Sequence, residues 1–290
     1  MTTHTDAVRS RPRLMQQLRD RICRLGYSYR TEQAYAYWIR YFILFSGKRH
    51  PRDMGKEEVE HFLTHLASDR YVSASTQNQA LSALLFLYKQ VLEMELEWID
   101  NVVRAKKPAR VPVVLMREEV VAVLSRMKGR YWLMASLMYG TGLRVMECLR
   151  LRVQDLDFGY RQVVVRNGKG GKDRLVPLPD SLIGPLKHQI GEAQRVRAGD
   201  FQDGFGEVSL PAALARKYPN ASFEFGWWYL FPSFNRAVDP HSGRQQRHHL
   251  SARPFPTVHR RPVRAARIRA HALPATLRHC LAPSLHAPAP

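Results

Sequence analysis

Residues 141–179, TGLRVMECLRLRVQDLDFGYRQVVVRNGKGGKDRLVPLP, change their period twice, and that change decides the fold. The Gly140-Thr141-Gly142 turn gives way to a helix from about Arg144, after which apolar residues begin to alternate. Residues 162–166 are rich in valine, 167–173 form a Gly/Lys turn and 174–178 are again strand-like. The spacing therefore predicts a β-hairpin with a long basic tip. Helices near 117–127 and 131–139 precede this block and one over 180–197 follows it, which makes a mainly α domain with a small β-sheet. Residues 200–235 then form an excursion dense in Gly and aromatic residues.

Working outward to the N-terminus, helical spacing recurs four times over residues 13–96: Leu14, Leu18, Ile22 and Leu25; Tyr35, Trp38, Ile39, Phe42 and Phe45; Val59, Phe62, Leu63 and Leu66; Leu81, Leu84, Leu85, Tyr88 and Leu92. Gly26, Gly47, Pro51 with Asp53, and Ser73 with Ser75 supply the breaks. We read a four-helix domain over 13–99, a linker over 100–115, a second domain over 116–279 and a disordered tail over 280–290. In the linker, Arg104, Lys106, Lys107 and Arg110 stand among Pro108 and Pro112, a composition that resists helix.

Forty-five Lys+Arg against 25 Asp+Glu give a net charge of +20, so a polyanion, and first of all nucleic acid, is the expected partner. Three well-separated cysteines exclude a disulfide framework and fit a reducing cytoplasm. No stretch approaches 18 apolar residues, so no membrane association is expected. The last 50 residues hold nine Arg, seven His and seven Pro with no acidic residue, Lys or Tyr. Pro254, Pro256, Pro262 and Pro274 predict that no long helix forms there and that much of it lacks order.

Each chemical signal has two readings. Arg144, just after the double-glycine turn, either offers its guanidinium to an oxyanion or pairs with Glu147 at i+3. The glycine-rich hairpin tip either swings Lys169 toward a phosphate, with Lys172 and Arg174 beside it on DNA, or is a solvated turn. His241, His248 and His249 lack the spacing of a metal site, which favours a solvent- or phosphate-facing role. Trp227 and Trp228 are core residues or stacking platforms for unpaired bases. Lys106, Lys107 and Arg110 are a solvated face or a strap along a duplex. Cys148 is expected to be a buried thiol rather than a nucleophile.

Taken together, TGLRVMECLRLRVQDLDF and VRNGKGGKDRLVPLP resemble the catalytic domain of tyrosine recombinases, the phage-integrase family. RTEQAYAYWIRYFILFSGKRHP and STQNQALSALLFLYKQVL resemble the SAM-like core-binding domain of that family. LARKYPNASFEFGWWYLFPS with DPHSGRQQRHHLS resembles the additional segment of integron integrases. The resemblance implies two arginines around the scissile phosphate, a hairpin lysine as general acid and a tyrosine nucleophile, with neither metal nor cofactor. Arg144, Lys169 and Arg278 match the first arginine, the lysine and the second arginine, and Ala275 stands where the second box has its first histidine. The subclass further implies DNA contact at His248 and His249, base stacking by the aromatic excursion, and double-stranded or folded single-stranded DNA sites bound by a tetramer.

The resemblance stops after His279: no tyrosine follows Arg278, the last being Tyr229. A side chain that must lie about 3 Å from phosphorus cannot be replaced by electrostatics. We therefore expect the polypeptide to bind recombination sites without cleaving them, the alternative being a DNA-binding module that occupies sites or modulates intact integrase. SARPFPTVHRRP and CLAPSLHAPAP have the composition of GC-rich codons read out of frame, so a truncated or frameshifted C-terminus is expected.

Overall fold

The computed structural model describes residues 13–96, 99, 101–105, 113–168, 171–210, 212–239, 243–268 and 274–280. Lys106, Lys107, Arg110, Lys169, His241 and the 281–290 tail lie outside them. The chain divides into two compact units, Met1–Arg110 and Val111–Pro290.

The first unit holds α1 (Leu14–Arg24), α2 (Tyr29–Phe45), α3 (Lys56–Ser68) and α4 (Ala74–Phe86), the last running on into a π turn, Leu87–Leu92. Helix starts are satisfied locally: Ser28 Oγ accepts the Thr31 N–H, Ser73 Oγ that of Thr76, and Glu58 reaches back to the Gly55 N–H. The apolar stripes meet in one core around Phe42, Phe62, Leu63 and Leu84. Leu25 and Leu85, expected inside, are exposed; Ala80, Ala83 and Leu87 join the expected Leu84 and Tyr88 on the buried face. Residues 101–105 are fastened to this unit, since Gln77 accepts from Ala105 N–H and donates to Val103 O.

The second unit opens with α5 (Arg117–Leu124), α6 (Gly129–Thr141) and α7 (Val145–Leu149). Strands β1 (Leu156–Asp157), β2 (Gln162–Val165) and β3 (Arg174–Pro177) form an antiparallel sheet in that order, with Val163 opposite Val176 and Val165 opposite Arg174. The hairpin is thus as its alternation predicts. Helix α8 (Ile183–Gln202) runs five residues past its expected end. The aromatic excursion follows with α9 (Ala212–Lys217), two 3₁₀ turns and the small β4 (Ala237–Val238) and β5 (Gln245–Gln246) pair.

The proline-rich region departs from expectation. Residues Pro254–Ala265 form α10 and Pro274–His279 form α11. Pro254 and Pro256 fall in the first turn, where an amide has no intrahelical acceptor to lose. Pro262 is interior and costs about 3 kcal/mol, but burial of Phe255 and Val263 against the core offsets it. Helix α10 packs on α5, and α11 packs on α6. Cys280 is buried rather than part of a free tail: its Sγ accepts the Leu115 N–H at 3.2 Å and its thiol donates to Thr276 O.

Candidate nucleic-acid interface

The Gly140–Gly142 turn is set by two separate demands. A Cβ on Gly140 would stand 2.7 Å from Pro179 Cγ, and Gly142 closes α6 in the left-handed region at φ +67°. Gly140 therefore makes room for its own chain rather than for a ligand. The turn delivers Arg144 to the N-cap of α7, where the Glu147 side chain accepts its backbone N–H at 2.8 Å.

Glu147 is the hub of the site. Its Oε1 accepts from Arg144 Nη1 at 2.7 Å, and Arg174 reaches the same carboxylate with both terminal nitrogens, at 3.0 and 2.7 Å. Of the two alternatives for Arg144 the pairing is present; it engages one terminal nitrogen and leaves the side chain 38% exposed. Burial alone raises the Glu147 carboxyl, yet hydrogen bonds from Arg174 and Arg144 outweigh it and hold the group at about 2. The carboxylate is thus a fixed anion that orients two guanidiniums. Arg174, expected as a DNA contact, grips Glu147 bidentately and keeps 35% of its side chain exposed.

The turn between the strands is glycine-built. Asn167 takes φ +51° and donates its N–H to Asp173, while Gly171 takes φ +73°. A Cβ on Gly168 would press within 2.8 Å of Arg174 Nη1. Lys172 is exposed on this turn. Arg278 is half-buried on α11, so the helix contact with α6 joins the element of the second arginine to the one that leads into Arg144.

The aromatic excursion divides into two roles. Trp228, expected to stack on bases, is 1% exposed in a small core with Val208 and Tyr229, so its ring faces offer nothing to a ligand. Trp227 is half-buried, with the Arg166 guanidinium 5.7 Å from its ring centre. Composition missed the residue that fastens this segment. Arg152 donates to Trp227 O, Ser209 O and Tyr229 Oη, and its guanidinium lies 3.8 Å from the Tyr229 ring centre. A Leu-Arg-Leu-Arg alternation was the sole trace of it.

His248 and His249 are half-buried; His249 meets the Tyr229 ring edge-on at 5.4 Å and its Nδ1 pairs with Leu250 O. Burial lowers its pKa, favouring neutral imidazole at neutral pH. Among the described residues no group of three ligating side chains stands together as a metal site, and no helix is long and apolar enough to cross a membrane. Cys148 is fully buried and its thiol is pushed far up, so it is a core residue.

Residues 14–98 match the phage integrase N-terminal SAM-like domain, and residues 114–287 match the phage integrase family. The chain belongs to the phage integrase family. The match runs to residue 287, past His279 where the motif reading ended it. Integrase/recombinase proteins of Escherichia coli and Pseudomonas aeruginosa are each 46% identical over 94% of this chain and 81% of their own. The tyrosine recombinase XerA of Thermococcus kodakarensis is 33% identical over 56% of each chain. Among solved structures, XerH site-specific recombinase bound to palindromic difH substrate shares the fold at a TM-score of 0.56 and 19% identity, covering 94% of this chain and 73% of XerH. The Tn1549 transposon integrase in complex with transposon right end DNA does so at 0.58 and 15%, over 94% and 86%.

Proposed function

We propose that this chain is an integron-type integrase that binds double-stranded and folded single-stranded recombination sites and holds a phosphodiester between Arg144 and Arg278. The carrying observation is the Glu147 hub, which presents a part-exposed guanidinium at the start of α7, directly after α6, the helix that α11 packs against. A net charge of +20 and the DNA held by the XerH and Tn1549 neighbours support the partner class. Lys169 and Lys172 on the hairpin turn would approach the same strand, with Lys106, Lys107 and Arg110 following the duplex. His248 and His249 carry the far edge of the surface, and Trp227 is the aromatic residue suited to an unpaired base. Assembly as a tetramer with intact copies and a cytoplasmic location belong to the same reading, as does independence from any cofactor or metal.

The 290-residue polypeptide is further proposed to bind without cutting. Its last tyrosine, Tyr229, is 8% exposed and spends its hydroxyl on Arg152. A suicide substrate nicked near the cleavage point tests this: no covalent protein–DNA adduct is expected, and an adduct ends the proposal. A shifted frame after Leu250 is supported by the interior Pro262 and by His259, whose buried ring nitrogens have no partner among the described residues; resequencing codons 251–279 decides it. A non-catalytic module that modulates intact integrase is the second reading, favoured by the same buried Tyr229. Suppression of recombination when this chain is mixed with intact enzyme would distinguish it.

A further inference from the structure

The turn at residues 167–173 carries three glycines, which leave its backbone many accessible conformations, so what holds its two roots bears on its position. One root is Arg174, gripped by Glu147. The other is Arg166, immediately after β2. Its Nε donates at 2.6 Å to Asp155 Oδ1, on a carboxylate whose side chain is only 3% exposed. The other oxygen of Asp155 accepts the Arg152 N–H at 2.8 Å. Both roots therefore end in a guanidinium held by a carboxylate, half-buried at Glu147 and buried at Asp155.

The second grip belongs to the aromatic insertion. The Phe225–Trp227 turn packs on the Val153–Asp155 turn, so closely that a Cβ on Gly226 would come within 3.2 Å of Gln154 Oε1. Val153 N–H donates to Trp228 O, Leu230 N–H to Leu151 O, and Arg152 fastens the same stretch through three further bonds. This arrangement sets the Trp227 indole against the outer face of the Arg166 guanidinium. An exposed ion pair would contribute little, but here one member is buried, and releasing Arg166 would leave an unpaired charge in the interior.

We propose that Asp155, Arg166 and Trp227 form a clamp through which the aromatic insertion sets the position of the described ends of the turn, residues 167–168 and 171–173, making Arg166 and Trp227 positioning residues for this hairpin. The insertion then acts on the DNA-facing hairpin from behind, a role separate from any base it stacks upon. The functional weight of the clamp rests on the reading of that turn as a DNA contact.

Amide hydrogen exchange on the full 290-residue chain tests the clamp. Trp227→Ala is expected to speed exchange across 166–173 about threefold to fivefold, the factor carried by one exposed cation–π contact, and Arg166→Gln, which also breaks the pair with buried Asp155, by more than that. Rates in the β2–β3 ladder and α6 should stay unchanged, and Trp227→Phe should restore the turn. Unchanged exchange in the turn, or acceleration spread equally over ladder and α6, overturns the proposal. Should Trp227→Ala not fold, Arg166→Gln carries the test, because that side chain is 44% exposed. Repeating the exchange with duplex site DNA reads the other assignment separately. If the variants loosen the turn while duplex gives it no protection, the clamp stands and the DNA reading of the turn falls.

Discussion

Arg174 lays both terminal nitrogens on Glu147, so the strand that leaves the basic turn is tied to the short helix that Arg144 caps. Removing the charge should loosen both arginines together. Glu147→Gln is expected to be about 2 to 3 kcal/mol less stable at neutral pH. The folded carboxyl titrates at about 2 against an ordinary 4.5, so its contribution is complete above 4.5 and lost as pH falls toward 2. Chemical denaturation from pH 7 to pH 2 should show the gap between wild type and variant closing across that interval; a constant gap contradicts the hub.

His259 gives an acid response of a different kind. It is 0% exposed beside Phe255, neither ring nitrogen has a partner among the described residues, and burial lowers its pKa from 6.5 to about 4. The unfolded chain therefore binds the proton first, and stability declines as pH falls from 6.5 toward 4. His259→Leu should add about 1 to 2 kcal/mol by removing unsatisfied polar atoms, and should flatten that part of the profile. Thermal melts at pH 7 and pH 5 check both statements.

Trp228 and Trp227 should separate cleanly. Trp228→Ala is expected to cost about 3 to 5 kcal/mol of stability through the cavity it leaves and to weaken duplex and folded single strands alike. Trp227→Ala should cost far less stability and harm single strands with unpaired bases more than duplex. Paired melting and band-shift titrations on both variants would show the reverse order if the sequence-based role of Trp228 were correct.

DNA affinity should fall steeply with salt, with a log–log slope of about −0.9 for each phosphate neutralised. If Arg144 holds one phosphate, Arg144→Ala lowers affinity on every sequence and reduces the slope by about one. A flat salt response would remove the basic surfaces from the account.

The hairpin and the helical first unit were legible because alternation and 3.6-residue periodicity are local signals, and Val163, Val165, Phe42 and Phe62 obey them. Helix α10 was hidden by its prolines, whose cost depends on position within the helix and is overridden by burial of Phe255. The density of aromatic residues between 200 and 235 marks an unusual segment, but density does not say which ring turns inward, so it leaves Trp227 and Trp228 open between core and stacking. Glu147 was recognised as a neighbour of Arg144 three residues away. Its bond to Arg174 spans 27 positions between a helix and a strand, and no spacing rule reaches that far. Arg152 and Asp155 were missed for the same reason.

The amide of Leu115 and the sulfur of Cys280 meet across 165 positions, at the opening and close of the second unit's described span. During synthesis the first unit can collapse on its own helices while the second must wait, because Leu277 and Cys280 belong to the same core as Leu115 and α6. Until those residues emerge from the ribosome, the apolar side of α6 stays open to water and to neighbouring chains, so production of this protein should depend on chaperone supply more than its size suggests.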